Sequence, residues 1–175
     1  MKWKIIDEEV LNENPWTSFW RRGFETDRGT RGNYFFAKTR GGCSMVIPVL
    51  PDGRFVMMRE YRFLDDVVSV EFPGGGIEHG QTPEEAARVE LRQEVGYEAA
   101  ELQQIGQSSP DMGVVIDPTF IFVAHDISFV GTAHEEMERL EPFITTADEI
   151  DAMIREGKII NGQTLSAWAF FRARG

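Results

Sequence analysis

Glu90 and Glu94 stand four residues apart, with Gln93 beside the second, in the stretch "ARVELRQEVGYEA". Spacings of three and four place side chains on one face of an α-helix. Two carboxylates stacked there repel one another unless a cation lies between them. Just upstream, "PGGGIEHG" supplies Gly74, Gly75 and Gly76, a backbone able to fold back over that face. Its carbonyls can join a cation's shell and its N–H groups can face phosphate. Carboxylates with carbonyl oxygens suit a hard ion such as Mg²⁺. The same spacing also describes a solvated helix face after a flexible turn, so spacing alone leaves both readings open.

The elements that must hold these groups carry their own signals. Thr82 caps a helix, Pro83 suits its first position, and Glu85 completes a Thr-x-x-Glu capping box. The helix should end near Val95, with Gly96 as its left-handed stop. Leu91 and Val95 would face the core, and Ala86 and Ala87 would let another backbone approach. "VVSVEF", Val67 to Phe72, reads as a buried strand running into the glycines. "SMVIPVL" and "RFVMMREYR" flank the turn signal "PDG", which predicts a hairpin over Ser44–Arg62. In the N-terminal third, "KWKIIDEEVL", "TSFWRRGFE" and "NYFFAKT" read as strands, the last two joined around Gly29 and Gly32. "FIFVAHDI" and "RLEPFIT" predict two more strands. "TADEIDAMIREGK", with a second capping box at Thr146 and Glu149, and "NGQTLSAWAFFRAR" predict two further helices. Strands first and then strands mixed with helices imply an α/β chain, a sheet packed against helices.

The chain has 175 residues, the length of one domain with a sizeable core, and a formal net charge of −11. That balance argues against nucleic acid or an anionic membrane as a partner. A phosphate ligand would need a metal ion or a local arginine cluster to offset the repulsion. The one cysteine, Cys43, excludes an internal disulfide and reads as a small packing residue. His79, His125 and His134 lack metal-site spacing. No run is apolar and long enough for a signal peptide or a membrane span, so a cytoplasmic protein is expected.

With these residues in view, the chain resembles the Nudix hydrolases, whose motif is G-x5-E-x7-R-E-U-x-E-E-x-G-U, U being bulky and apolar. Gly75, Glu90, Leu91, Glu94, Gly96 and Tyr97 match it; Gln81, Val89 and Gln93 stand where the motif has glutamate, arginine and glutamate. The resemblance implies an α/β/α sandwich with a mixed sheet, preceded by antiparallel strands. It implies one domain over 1–175, with strands in 1–43 serving dimerisation and a catalytic core over 44–175. It also implies a Mg²⁺ or Mn²⁺ site formed by Glu90, Glu94, the place of Gln93 and a carbonyl of Gly74. Valine cannot orient a glutamate as arginine does, and glutamine lacks a full charge. The expectation is a weakened or unusually metal-dependent enzyme, with a nucleotide-binding or regulatory module as the alternative.

"MMREYRF", "VEFPGGGIE" and "IREGKIINGQTLSAWAF" extend the resemblance to the ADP-ribose and nucleoside-diphosphate-sugar pyrophosphatases. That subfamily implies a small nucleotide substrate and a homodimer with shared sites. It assigns Arg59, Arg62, Gly75 and Gly76 to the substrate. An acid in "HEEMERLE", Glu136 or Glu138 before Glu135, would help activate water. Asp117 falls closest to a further acidic place in the subfamily. Trp16, Phe19 and Trp20 would stack on a base or pack in the core or a dimer interface.

Overall fold

The computed structural model describes residues 2–133 and 139–174. Its middle layer is made by strands whose successive side chains point to opposite faces, each face covered by helix. These strands are β4 (Cys43–Pro48), β5 (Phe55–Arg62), β6 (Val67–Glu71), β7 (Gly74–Gly76), β8 (Tyr97–Ser108), β10 (Thr119–Phe129) and β11 (Leu140–Thr145). They run in two sheets, ordered β7-β4-β10-β8 and β11-β5-β6. β10 pairs in parallel with β4 and antiparallel with β8, so the sheet is mixed.

The alternation divides the core in two. Met45, Ile47, Phe55, Met57, Ile121 and Val123 point to one side, against Ile150 of helix α2 (Ala147–Arg155) and Ala167 and Trp168 of helix α3 (Gly162–Arg172). Val46, Val56, Met58, Phe122 and Ala124 point to the other, against Ala87, Leu91 and Val95 of helix α1 (Pro83–Val95). The expected α/β/α sandwich is thus formed by the parity of three central strands.

A separate antiparallel sheet holds β1 (Lys4–Glu13), β2 (Thr17–Glu25) and β3 (Arg31–Thr39), joined to the rest through β9 (Val115–Ile116), which runs parallel to β3. β1 is exposed along its whole length.

Two features differ from the sequence expectation. The turn at Pro51–Gly53 forms, with Leu50 N–H donating to Arg54 O at 2.8 Å, but the hairpin over Ser44–Arg62 does not. After a single bridge between Val49 and Phe55 the strands part, β4 pairing with β7 and β10 and β5 with β6 and β11. The second feature is β8, a twelve-residue strand that the sequence reading passed over.

α1 begins and ends as its sequence predicts. Thr82 Oγ1 accepts from Glu85 N–H at 3.2 Å, and Glu85 returns the bond to Thr82 N–H at 2.8 Å. Gly96 closes it with φ 77°. The Gly96 carbonyl accepts from Val130 N–H at 2.8 Å, so the chain leaving β10 lies against this helix end. A Cβ on Gly96 would meet Gly131 and Thr132 backbone within 2.9 Å. Gly96→Ala should therefore lower the unfolding free energy by about 2–4 kcal/mol, from left-handed strain plus overpacking. A urea midpoint equal to wild type would contradict this packing.

Candidate active site

The candidate site forms where α1 meets the glycine strand β7. Capping fixes the start of α1, and the burial of Ala86, Ala87, Leu91 and Val95 fixes its rotation. That rotation turns Glu94 inward, to 5% exposure. A buried carboxylate needs a donor. Gly74 N–H supplies one, at 2.7 Å from Glu94 Oε2.

The register of β7 explains why that N–H is available. Val46 N–H donates to Pro73 O and Ile77 N–H to Gly42 O. These bonds bracket the pairing of Ser44 with Gly75. In such a ladder Gly75 directs its backbone groups to β4, while those of Gly74 and Gly76 point outward. The Gly74 carbonyl thus lies on the same outward edge as the N–H that meets Glu94, where the resemblance puts a cation ligand. Gly75, assigned by resemblance to the substrate, has its N–H turned to β4 and contributes the absence of a side chain: a Cβ there would collide with the Glu90 carboxylate. Gly76 is exposed, with open space where a Cβ would be. Glu90 and Glu94 are thereby brought to adjacent glycines.

Strand β5 supplies the charged side of the site. Met58, Glu60 and Arg62 share the α1 face with Ser69 and Glu71 of β6, since Met58 pairs with Glu71 and Glu60 with Ser69. Arg62 grips Glu71 with two bonds, Nε to Oε1 at 2.8 Å and Nη2 to Oε2 at 2.6 Å, and reaches Glu60 at 2.9 Å. Glu71 is 2% exposed. The Glu71 hydrogen bonds, then the fields of Glu71, Glu60 and Glu94, outweigh burial and raise the Arg62 pKa. Arg62 therefore lies in the field of the Glu94 carboxylate while held by other acids. Sequence reasoning did not single out Glu71 or Glu60. An acid two residues before Pro73, cross-strand from a basic strand, was the available signal.

Arg59 lies elsewhere. It is odd-numbered on β5, its guanidinium sits 4.3 Å above the Phe143 ring, and Phe143 packs with Met57 on the α2–α3 side. Arg59 and Arg62, both assigned by resemblance to the substrate, thus stand on opposite faces of β5, because three residues along a strand reverses the face.

Of the departures from the motif, Gln81 has a local side-chain role. Gln81 Oε1 accepts from Glu78 N–H at 3.0 Å, tying the turn before α1. Val89 is 38% exposed. Its neighbours do not replace an arginine: Arg88 binds Glu84 and the Ala99 carbonyl, and Arg92 pairs with Glu98. The Gln93 carbonyl accepts from Ala133 N–H at 3.0 Å, anchoring the chain just before residue 134. Glu135, Glu136 and Glu138 lie outside the described residues. Asp117 accepts from Thr39 Oγ1 at 2.7 Å at the entry to β4. Beside it, burial and the fields of Asp117, Glu90 and Glu94 push the Cys43 thiol up to about 12, so it stays protonated at neutral pH. Phe19 and Trp20 stack on Phe35 and Phe36 in the N-terminal sheet, and Trp16 is 76% exposed.

Among the described residues no three His, Cys, Asp or Glu side chains gather around a metal-sized point. Glu90 and Glu94 do gather at β7, beside the outward Gly74 carbonyl. One or two carboxylates, with other oxygens from carbonyl, water and phosphate, is the donor set Mg²⁺ takes in phosphate chemistry. The residues present fit such an ion.

The Arg62–Glu71 pair also gives a stability test. Arg62→Met should cost about 2–3 kcal/mol, less than a fully buried case because water can follow a partly exposed arginine. Adding Glu71→Gln should recover part of the loss in the melting temperature. Full additivity of the two losses would refute the pairing.

Comparison with known proteins places this geometry. The NUDIX domain model matches residues 39–159. The chain is 25% identical over 164 residues to the CMP-5'-(N-acetyl-N-hydroxy-3-aminopropyl)phosphonate hydrolase of Streptomyces rubellomurinus, covering 94% of this chain and 79% of that protein. It is 25% identical over 135 residues to the ADP-ribose pyrophosphatase of Bacillus subtilis, covering 76% and 73%. In fold it matches a crystal structure of an ADP compounds hydrolase with TM-score 0.85 at 22% identity, over 99% of this chain and 94% of that one. A family match across the core strands, the glycine strand and α1 leaves one assignment: the chain belongs to the NUDIX family.

Proposed function

We propose that the protein hydrolyses the diphosphate of a nucleoside diphosphate linked to another group, ADP-ribose or a related nucleotide sugar, with Mg²⁺ or Mn²⁺. The observation that carries this reading is the meeting of Glu90 and Glu94 with Gly75 and the Gly74 N–H at one strand end. The resemblance to the B. subtilis ADP-ribose pyrophosphatase supports the substrate class. The ion would neutralise diphosphate charge and favour ionisation of water. Glu90 and Glu94 would hold it, with the Gly74 carbonyl. Gln93 could add only a neutral oxygen. The Gly74 N–H keeps the Glu94 carboxylate from swinging away.

In the reaction a water oxygen bonds to phosphorus, the bridging P–O bond breaks, and the water proton passes to a carboxylate. By resemblance that carboxylate is Glu136 or Glu138. The outward Gly76 backbone and the Arg62 guanidinium are the groups of this face that can meet phosphate. For Arg62 this means sharing a cation already engaged by Glu71 and Glu60. No helix among the described residues is long and apolar enough to cross a membrane. A cytoplasmic location goes with this reading.

The test is hydrolysis across a nucleotide-sugar panel with Mg²⁺ titrated. Wild type should turn over ADP-ribose, Glu90→Gln should lose about 100-fold or more in kcat, as for removal of a group acting on transition-state charge, and Gln93→Glu should need less Mg²⁺ for half-maximal rate. A wild type that binds nucleotide but never releases product would instead make this a binding module, consistent with neutral residues at positions 81, 89 and 93.

The same reading includes a homodimer through residues 1–43. Ile5 and Val10 expose apolar side chains on one face of the N-terminal sheet and Phe19 and Phe35 on the other, and exposed apolar surface of this kind marks interfaces. Light scattering should give twice 19.9 kDa, and Val10→Glu with Phe19→Glu should return the monomer. A wild-type mass of one chain would remove this part of the reading.

A further inference from the structure

We propose that the face of β5 turned away from Glu90 and Glu94 carries a second site, one that takes a sugar phosphate. Arg59 and Tyr61 of β5 share this face with Glu141 of β11 and Val68 of β6, because the register sets Arg59 opposite Glu141 and Tyr61 opposite Val68. With Arg139 and Leu140 they line a cleft of about 870 Å³. That volume accommodates a pentose phosphate with its water.

Among the described residues neither Arg59 nor Arg139 makes a salt bridge, in a chain whose net charge is −11. The Arg59 guanidinium is held flat over Phe143 by a cation–π contact, which leaves its N–H edge for a ligand. Glu141 lies directly across from Arg59 without an ion pair to it. Tyr61 is 46% exposed and its hydroxyl donates to Asp66 at 2.9 Å, so the ring is fixed with a face in solvent. Val68 beside it is 64% exposed.

These groups read as one chemistry. Two guanidinium groups suit a phosphomonoester dianion. A carboxylate close by would repel a bare phosphate but accept hydrogen bonds from the hydroxyls of an attached sugar. A fixed aromatic face suits the C–H face of a sugar ring. A free nucleotide or inorganic phosphate uses only part of this set. Hydrolysis of ADP-ribose would release a sugar phosphate, so the site would hold a product of the reaction. That link rests on the proposed function; the binding itself does not.

The experiment is calorimetric titration of the full chain in EDTA, which removes any metal-dependent phosphate binding at α1. The probes are ribose 5-phosphate, inorganic phosphate and ribose. Ribose 5-phosphate should saturate, and Arg59→Gln and Arg139→Gln should each weaken it about tenfold, the worth of one charge-assisted contact. Glu141→Gln should weaken ribose 5-phosphate and leave inorganic phosphate unchanged or tighter. Glu94→Gln should leave ribose 5-phosphate binding in EDTA as in wild type. Melting temperatures check that each variant is folded, and the exposed Arg139 serves if Arg59→Gln fails to fold. The proposal is overturned by no saturation up to about 10 mM, beyond the weak end of specific binding. It is equally overturned by loss of binding in Glu94→Gln with Arg59→Gln and Arg139→Gln unaffected, or by inorganic phosphate binding as tightly as the sugar phosphate. Absence of any hydrolytic activity would sink the proposed function while leaving these binding results interpretable.

Discussion

The site depends on how closely α1 approaches β7. A carboxylate at 5% exposure has lost most of its water, and the Gly74 N–H replaces part of it. That contact requires two missing side chains. A Cβ on Gly74 would strike Met45 Sδ and the Ser44 carbonyl, and one on Gly75 would strike the Glu90 carboxylate. Any other residue at 75 would push the strand from the helix, and any other at 74 would push it from β4; either shift displaces the backbone that locates the acids. The two glycines are needed for this closeness, and neither has a positive φ.

Within that frame, the neutral residues on α1 make electrostatic sense together. Val89 and Gln93 are four residues apart, the spacing of an intrahelical ion pair. Where the family motif has arginine and glutamate, this helix has two uncharged side chains. An arginine alone at 89 would bring an unbalanced cation towards Glu90, and a glutamate alone at 93 would add a third anion beside Glu94. The Arg62–Glu71 ion pair beside these acids belongs to the strands. Arg62 holds Glu71, and Glu71 precedes Gly74 by three residues, so the ion pair secures the approach to the glycine strand.

Much of this was legible in the residues, and the exceptions share a cause. α1 could be read from Thr82 to Gly96 because capping boxes and left-handed stops are local. The β4–β5 hairpin misled because its turn is real while its ladder is not; which strands pair is decided by the core and not by Pro51–Gly53. β8 escaped notice because "YEAAELQQIGQS" is polar and has Ile105 as its one buried residue. It is an edge strand, held on one side by β10, and needs little apolar alternation. Arg59 and Arg62 looked like a pair because their chemistry is alike. Their separation along a strand, an odd number, was enough to place them on opposite faces.

That parity gives β5 a double role. Its even positions, Met58, Glu60 and Arg62, face α1, and its odd positions, Met57, Arg59 and Tyr61, face the other way. A slip of one residue would exchange the two sets and put Arg59 and Tyr61 against Glu94. Two constraints prevent it. The apolar half of the strand, Phe55 to Met58, is buried on both faces, and the other half is pinned by the Arg62–Glu71 bonds across to β6. The first fixes register through packing and the second through charge. Because one strand carries both faces, the ion pair that supports the acidic site also sets where Arg59 and Tyr61 stand on the reverse, and neither face can change register without the other.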